Sequence, residues 1–356
     1  MIIKSRRWDY EVFFKEDLNF LEDLKKRDAI WVIDENVYEL YAEYFSGINR
    51  LALFCADEKA KNLSGAINLC RILAGYSCRR NTELISVGGG IIQDVAGFAA
   101  SIFHRGLRWT YVPTTLLAQA DSCIGSKTSL NLDSYKNLLG TFYAPKEVFI
   151  SSAFLETLTR RDIASGRGEI LKLFILNARG MEDLKAIERW MKQESNLRLL
   201  KDSLNIKKMF IEKDEFDMGD RKLLNYGHCF GHALESVSNF AIPHGLAVVA
   251  GMMFAEIFAK RTGMTEAARR DFVLNDLLSP AFSEDFTEVV CRAPTEELWN
   301  ALLKDKKRGP GEGLDWAAVI LPMGHALELR QDVLYPQFVE TVNLLKHYLT
   351  YPKPAV

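Results

Sequence analysis

Three of the chain's six histidines fall in one stretch, NYGHCFGHALESVSNFAIPHG, residues 225–245. His228 and His232 stand at i and i+4, so a helix carries both on one face. His244 follows Pro243, a residue that opens a helix more readily than it continues one. A lone histidine is usually structural, but three converging from a helix and the start of the next point to a metal or anion site. A catalytic zinc ion takes three protein ligands, often with a carboxylate among them, and keeps a fourth position open. The candidate carboxylate lies in GRGEILKLFIL, where Glu169 and Lys172 are i, i+3 neighbours on an otherwise apolar helix. A buried charge there is costly unless paired; the alternative is a surface Glu–Lys pair, which is worth little.

Two further stretches are chemically suggestive. In SVGGGIIQDVAGF an apolar strand runs into Gly88, Gly89 and Gly90 and then into a helix beginning near Asp94. Such a turn brings backbone N–H groups and a helix N-terminus to a pyrophosphate. The spacing is not GxGxxG, so an ordinary strand-to-helix turn fits it equally well. The segment 113–145 gathers Thr114, Thr115, Asp121, Lys127, Asn131, Lys136 and Asn137 around small residues with little apolar periodicity. It reads as a long polar loop, and such loops in compact domains are usually functional.

These residues need a scaffold. AIWVID, LALFC, ELISV, LRWTYVP and EVFI have strand length, and GAINLCRILAGY and DVAGFAASIF have helical spacing between them, which predicts a mostly parallel sheet covered by helices. From about residue 155 the patterns become long helices in succession. The expected architecture is therefore α/β: a Rossmann-like parallel-sheet domain over 1–155 and a helical domain over 156–356, with a binding cleft between them. A chain of 356 residues, 48% hydrophobic, has ample core for two domains. Its 45 basic and 47 acidic residues leave a formal net charge of -2, which argues against general affinity for nucleic acid or anionic membrane. The six cysteines form no CxxC pair and fit a reducing compartment, the cytoplasm by default. There is neither a signal-peptide pattern nor an apolar run long enough to span a bilayer.

Taken together, GGGIIQDVAGFAAS, HRGLRWTYVPTTLLAQADS, GSKTSLN, KNLLGTFYAP, ASGRGEILK, LLNYGHCFGHALE, PHGLAVVAGM and KDKK resemble, in order and spacing, the 3-dehydroquinate synthases and more broadly the sugar phosphate cyclases. The resemblance implies NAD bound to the first domain, one zinc (or cobalt) ion, and a sugar phosphate substrate, 3-deoxy-D-arabino-heptulosonate 7-phosphate. Transferred residue by residue, it makes Glu169, His228 and His244 the metal ligands. Asp121, Lys127, Lys172, Lys207, Arg221 and Asn225 would hold the substrate's hydroxyls and carboxylate, and His232 with Lys127, Asn137 and Lys306 its phosphate. Asp34, Glu58, Lys61, Gly89, Gly90, Asp94, Thr114, Thr115 and Lys136 would contact NAD. Arg105, also expected at the substrate phosphate, matches an arginine contributed across a dimer interface, which implies a homodimer. Three departures stand out: Gln93 where GGGxxGD has glycine, Ser126 where GGKT has its second glycine, and no aspartate in ISSAF. Other cyclases, making 2-deoxy-scyllo-inosose or 2-epi-5-epi-valiolone, and a metal-dependent alcohol dehydrogenase of the glycerol dehydrogenase type are the competing readings.

Overall fold

The computed structural model describes residues 1–133, 135–193, 195–304, 316–324 and 326–351. It divides into two compact units: Met1–Thr159 with Lys208–Phe216, and Arg160–Lys207 with the chain from Asp217 onward.

The first unit is built on strands β1 (Ile2–Ile3), β2 (Tyr10–Lys15), β3 (Ala29–Asp34), β4 (Leu51–Phe54), β5 (Glu83–Gly88), β6 (Trp109–Pro113), β7 (Lys127–Leu132), β8 (Tyr135–Phe142) and β9 (Glu147–Ser151). Seven of them form one sheet in the order β1-β2-β9-β6-β5-β3-β4, parallel throughout except for the β1–β2 pair. Central strands buried on both faces must be apolar along their length: all of Ala29–Ile33 is buried, and Trp31 pairs with Leu51 on one side and Ile85 on the other. Trp31, Ile33, Ile85, Val87, Val112 and Phe149 form a core with Phe45 and Phe154. The helices Leu63–Gly75 and Gly90–Ile102 connect β4 to β5 and β5 to β6.

Residues 113–145 are not the long loop expected. A π-helical turn, Ala118–Ser122, is followed by an antiparallel hairpin of β7 and β8, with Thr128 opposite Thr141 and Leu130 opposite Leu139. The alternation that makes β7 a strand is present, with Thr128 and Leu130 buried between more exposed polar neighbours. Its polar face is committed to side-chain contacts and so hides the pattern. The strand β2 was also not anticipated.

The second unit is mainly helical: Arg160–Asn177, Met181–Gln193, Asn196–Lys213 as far as Lys207, His228–Val237, His244–Thr262 and Tyr335–Thr350 are its longer helices. It also contains an unexpected antiparallel pair, β10 (Trp316–Met323) and β11 (Ala326–Leu334). The helix His244–Thr262 is buried from Gly245 to Ala259 and, Glu256 apart, apolar on every face of that stretch, as suits a helix at the centre of a bundle. It crosses Arg160–Asn177 where both helices carry glycine. A Cβ on Gly168 would come 2.9 Å from the carbonyl carbon of Gly245, so only the bare backbones allow this approach. The amide of Gly245 donates to Ser165 Oγ at 2.9 Å and fixes the crossing. Glu169 and His244 are each the next residue in sequence from one of these glycines.

Candidate metal and cofactor sites

In the second unit, that crossing brings Glu169 Oε1 to 3.4 Å from Nε2 of His244. His228 opens its helix after Gly227, whose φ of 78° and whose packing against Val248 and Met252 leave no room for a side chain. Its Nε2 is also 3.4 Å from Glu169 Oε1. His232 lies one helical turn on, and the donor atoms of His228, His232 and His244 fall within 4.8 Å of one another. The structure thus brings together the three expected ligands and the fourth candidate, His232.

Glu169 is fully buried, and Lys172 forms an ion pair with its other oxygen. The ion pair and the two histidine contacts lack hydrogen-bond geometry, so among the described residues neither carboxylate oxygen accepts a well-aligned hydrogen bond. Burial is the largest influence on Glu169 and pushes its pKa up, but the charge of Lys172 and then His244 outweigh it and hold it at about 2. Burial likewise opposes a charge on His244, yet Glu235 and then Glu169 raise its pKa to about 10. Two buried carboxylates, Glu169 and Glu235, thus face Lys172 and an imidazole driven to take up a proton, which marks a site that attracts further positive charge.

These residues fit a divalent ion. Ligands about 2.1 Å from a tetrahedral zinc stand about 3.4 Å from one another, the separation found between Glu169 Oε1 and each Nε2. The far sides of both rings are held as well. His228 Nδ1 lies 3.3 Å from the carbonyl of Tyr226, and His244 Nδ1 lies 3.3 Å from Glu235 Oε2. Such contacts fix the tautomer that turns Nε2 toward a metal. Tyr226 is itself anchored, donating at 2.8 Å to buried Glu256, which is paired with buried Arg269 at 3.0 Å. Sequence reasoning missed Glu235; the available signal was a carboxylate three residues after His232, next to the apolar Ala233 and Leu234 of the same buried helix.

Lys172, Lys207 and Arg221 are all at least nine-tenths buried in this unit. Arg221 and Asn225 belong to one short 3-10 helix, Asp220–Asn225, where Asn225 donates to the Lys222 carbonyl at 2.9 Å. Lys306 lies outside the described residues.

In the first unit, Gly89 caps the helix Gly90–Ile102 at the carboxyl end of β5. Tyr111, also unforeseen, donates toward the carbonyls of Gly88 and Gly89 at 3.1 Å each. Thr114 N donates to Gly88 O at 3.1 Å, and Thr115 Oγ1 accepts from Ala118 N at 3.2 Å. Asp34 ends β3, and its carboxylate accepts from Asn36 N at 3.0 Å. Lys61 bridges Asp94, at 2.6 Å, and Asn137 Oδ1, at 2.7 Å. Ser129 N donates to Asp94 at 2.9 Å. Glu58 accepts from Asn131 at 2.8 Å and has Lys136 Nζ 3.9 Å away. Asn137, expected at the phosphate, therefore sits among the residues expected at the cofactor. Asp121 is in the π-helical turn, and Lys127 is exposed at the start of β7. Arg105 is exposed in a turn where His104, Arg105 and Gly106 all have positive φ.

A helix N-terminus at a strand's carboxyl end, with its carbonyls pinned back by a buried tyrosine, presents amide donors to an anion. Asp34 at the end of β3, with Glu58 and Lys61 in the segment after β4, supplies polar groups that suit the rest of a dinucleotide.

Comparison with known proteins gives one consistent result. Residues 52–165 match the family model for the N-terminal part of 3-dehydroquinate synthase, and 166–308 match that for its C-terminal part. The 3-dehydroquinate synthase of Alkaliphilus metalliredigens is 34% identical over 329 residues, 89% of either chain. That of Pelagibacter ubique is 39% identical over 295 residues, 78% of this chain and 79% of its own. Among solved structures, the 2-epi-5-epi-valiolone synthase of Streptomyces hygroscopicus subsp. jinggangensis, determined with NAD+ and Zn2+, superposes with a TM-score of 0.82 at 24% identity, covering 97% of this chain and 98% of its own. A 2-deoxy-scyllo-inosose synthase, determined with carbaglucose-6-phosphate, NAD+ and Co2+, gives 0.80 at 24% identity, covering 97% and 99%.

Proposed function

This chain belongs to the 3-dehydroquinate synthase family, and from that premise we propose that it converts 3-deoxy-D-arabino-heptulosonate 7-phosphate to 3-dehydroquinate and phosphate, as a carbon–oxygen lyase dependent on NAD and a divalent metal. The observation that carries the reading is the convergence of Glu169 with His228 and His244 at tetrahedral edge distances. When bound, NAD and the ion supply transient oxidation of a substrate hydroxyl and Lewis-acid polarisation of that oxygen.

The chain's own residues divide the remaining work. Glu169, His228 and His244 hold the ion. Lys172, Lys207 and Arg221 are cations withdrawn from water, and such groups call for an anionic or polar partner; with Asn225 and Asp121 they would hold the carboxylate and hydroxyls. His232, with Lys127, Asn137 and Lys306, would take the phosphate. Oxidation next to the carbon that loses a proton makes that proton acidic, so phosphate elimination needs no strong dedicated base. Asp34, Glu58, Lys61, Gly89, Gly90, Asp94, Thr114, Thr115 and Lys136 would hold NAD. Arg105 supports a homodimer, and the chain is read as cytoplasmic; no helix among the described residues is long and apolar enough to cross a membrane.

The test is phosphate release by purified protein supplied with NAD+ and zinc or cobalt. Release from the seven-carbon keto acid phosphate without accumulation of NADH is expected. A preference for glucose 6-phosphate or sedoheptulose 7-phosphate would reassign the substrate, and stoichiometric NADH would reassign the chain to alcohol oxidation.

A further inference from the structure

Gln93 stands in the first turn of the helix Gly90–Ile102, one residue before Asp94, and is 5% exposed. Both ends of its carboxamide are engaged by a single residue. Gln93 Nε2 donates to the carbonyl of Ser122 at 2.7 Å, and Gln93 Oε1 accepts from Ser122 Oγ at 2.7 Å. Ser122 closes the π-helical turn that carries Asp121. The start of that turn is tied by Ala118 N to Thr115 Oγ1, and its middle by Gln119 Nε2, which donates to the carbonyls of Pro113 and Ser151 at 3.0 and 2.8 Å. The end bearing Asp121 and Ser122 is gripped by Gln93, whose own amide bonds to Gly89 O at 3.1 Å. One side chain thus links the helix of the glycine turn to the segment that follows β6.

A π-turn is a rare, poorly favoured geometry that persists where function or surrounding contacts require it. Answering a carbonyl and a hydroxyl of the same residue takes a donor and an acceptor held in one plane, which a carboxamide supplies and a carboxylate does not. Glycine at position 93 would supply neither. We propose that Gln93 is a positioning residue that sets the Asp121 turn against the dinucleotide turn, so that affinity for NAD+ and for the sugar phosphate depends on a side chain that touches neither. The inference rests on the functional reading above.

The experiment compares the wild type with Gln93→Ala, Gln93→Glu and the conservative Gln93→Asn. It measures the Kd for NAD+ without substrate, KM and kcat for phosphate release, and the Tm. Gln93→Ala is expected to raise both Kd and KM about five- to tenfold, the ratio equivalent to one or two lost hydrogen bonds, with kcat within about twofold. Gln93→Glu, nearly isosteric but without the donor, should resemble Gln93→Ala, and Gln93→Asn should recover part of the loss. A lowered Tm with Kd and KM unchanged in every folded variant would overturn the proposal and leave Gln93 a purely structural clamp. If the wild type binds NAD+ yet releases no phosphate, the functional reading fails and the Kd series still decides the role of Gln93. If it does not bind NAD+, both fail.

Discussion

Nδ1 of His244 lies 3.3 Å from Oε2 of Glu235, while Nε2 of the same ring faces Glu169 at 3.4 Å. A carboxylate behind a ligating imidazole fixes its tautomer and raises its basicity, and removing such a partner usually costs 10–100-fold in metal affinity. Glu235→Gln keeps the shape and removes the charge. It is expected to weaken zinc binding by about that factor, measured by competition with a chromogenic chelator. Unchanged affinity would mean that Glu235 only fills space.

His232 and His244 should separate cleanly. Donor distances alone group His228, His232 and His244, whereas the proposed ligand set replaces His232 with Glu169. His244→Ala is expected to abolish metal retention after gel filtration, and His232→Ala to keep the metal and raise KM for the sugar phosphate about tenfold, the scale of one charge-assisted hydrogen bond. Equal metal loss in both variants would overturn the division of roles.

The charge balance at Glu169 and His244 makes the chelated protein pH-sensitive in a defined way. His244 has a folded pKa of about 10, above its ordinary 6.5, so its contribution is complete below about pH 6.5 and is lost as pH rises through 10. Glu169 is held at about 2, below its ordinary 4.5, so its contribution is present above 4.5 and is lost as pH falls toward 2. The Tm of the chelated protein should therefore decline on both limbs, and His244→Gln should remove the alkaline one. Added zinc should restore more stability as pH rises, because the ion and the proton compete for the same imidazole. A flat alkaline limb in the chelated wild type would refute this account.

What the sequence made legible follows from how local each signal is. The pairing of His228 and His232 is a matter of helical period, and the run AIWVID announces a strand buried on both faces. Glu169 stood out because a charge on an apolar helix needs a reason. The strand β2 was obscured because Glu11 and Lys15 break the apolar run of YEVFFK, whose buried residues are Tyr10 and Val12. The hairpin β7–β8 was obscured because Ser129 and Asn131 point to Asp94 and Glu58 and not to a core. Glu235 and Gln93 were invisible as partners because His244 and Ser122 reach them only through tertiary packing.

Ser126 is the departure that the backbone exposes most directly. It is buried at φ 65°, in the left-handed region, immediately before Lys127, and its carbonyl accepts from Tyr143 N at 2.6 Å. A non-glycine residue there is strained by roughly 1–2 kcal/mol, and glycine would relieve this at an entropic cost of about 0.5–1 kcal/mol in the unfolded chain. Ser126→Gly is thus expected to stabilise the protein by up to about 1 kcal/mol, read as a higher urea midpoint at unchanged m. If the loosened turn also lets Lys127 wander, KM for the sugar phosphate should rise while the midpoint rises. A lower midpoint would show that the Ser126 side chain contributes more than its backbone strain costs.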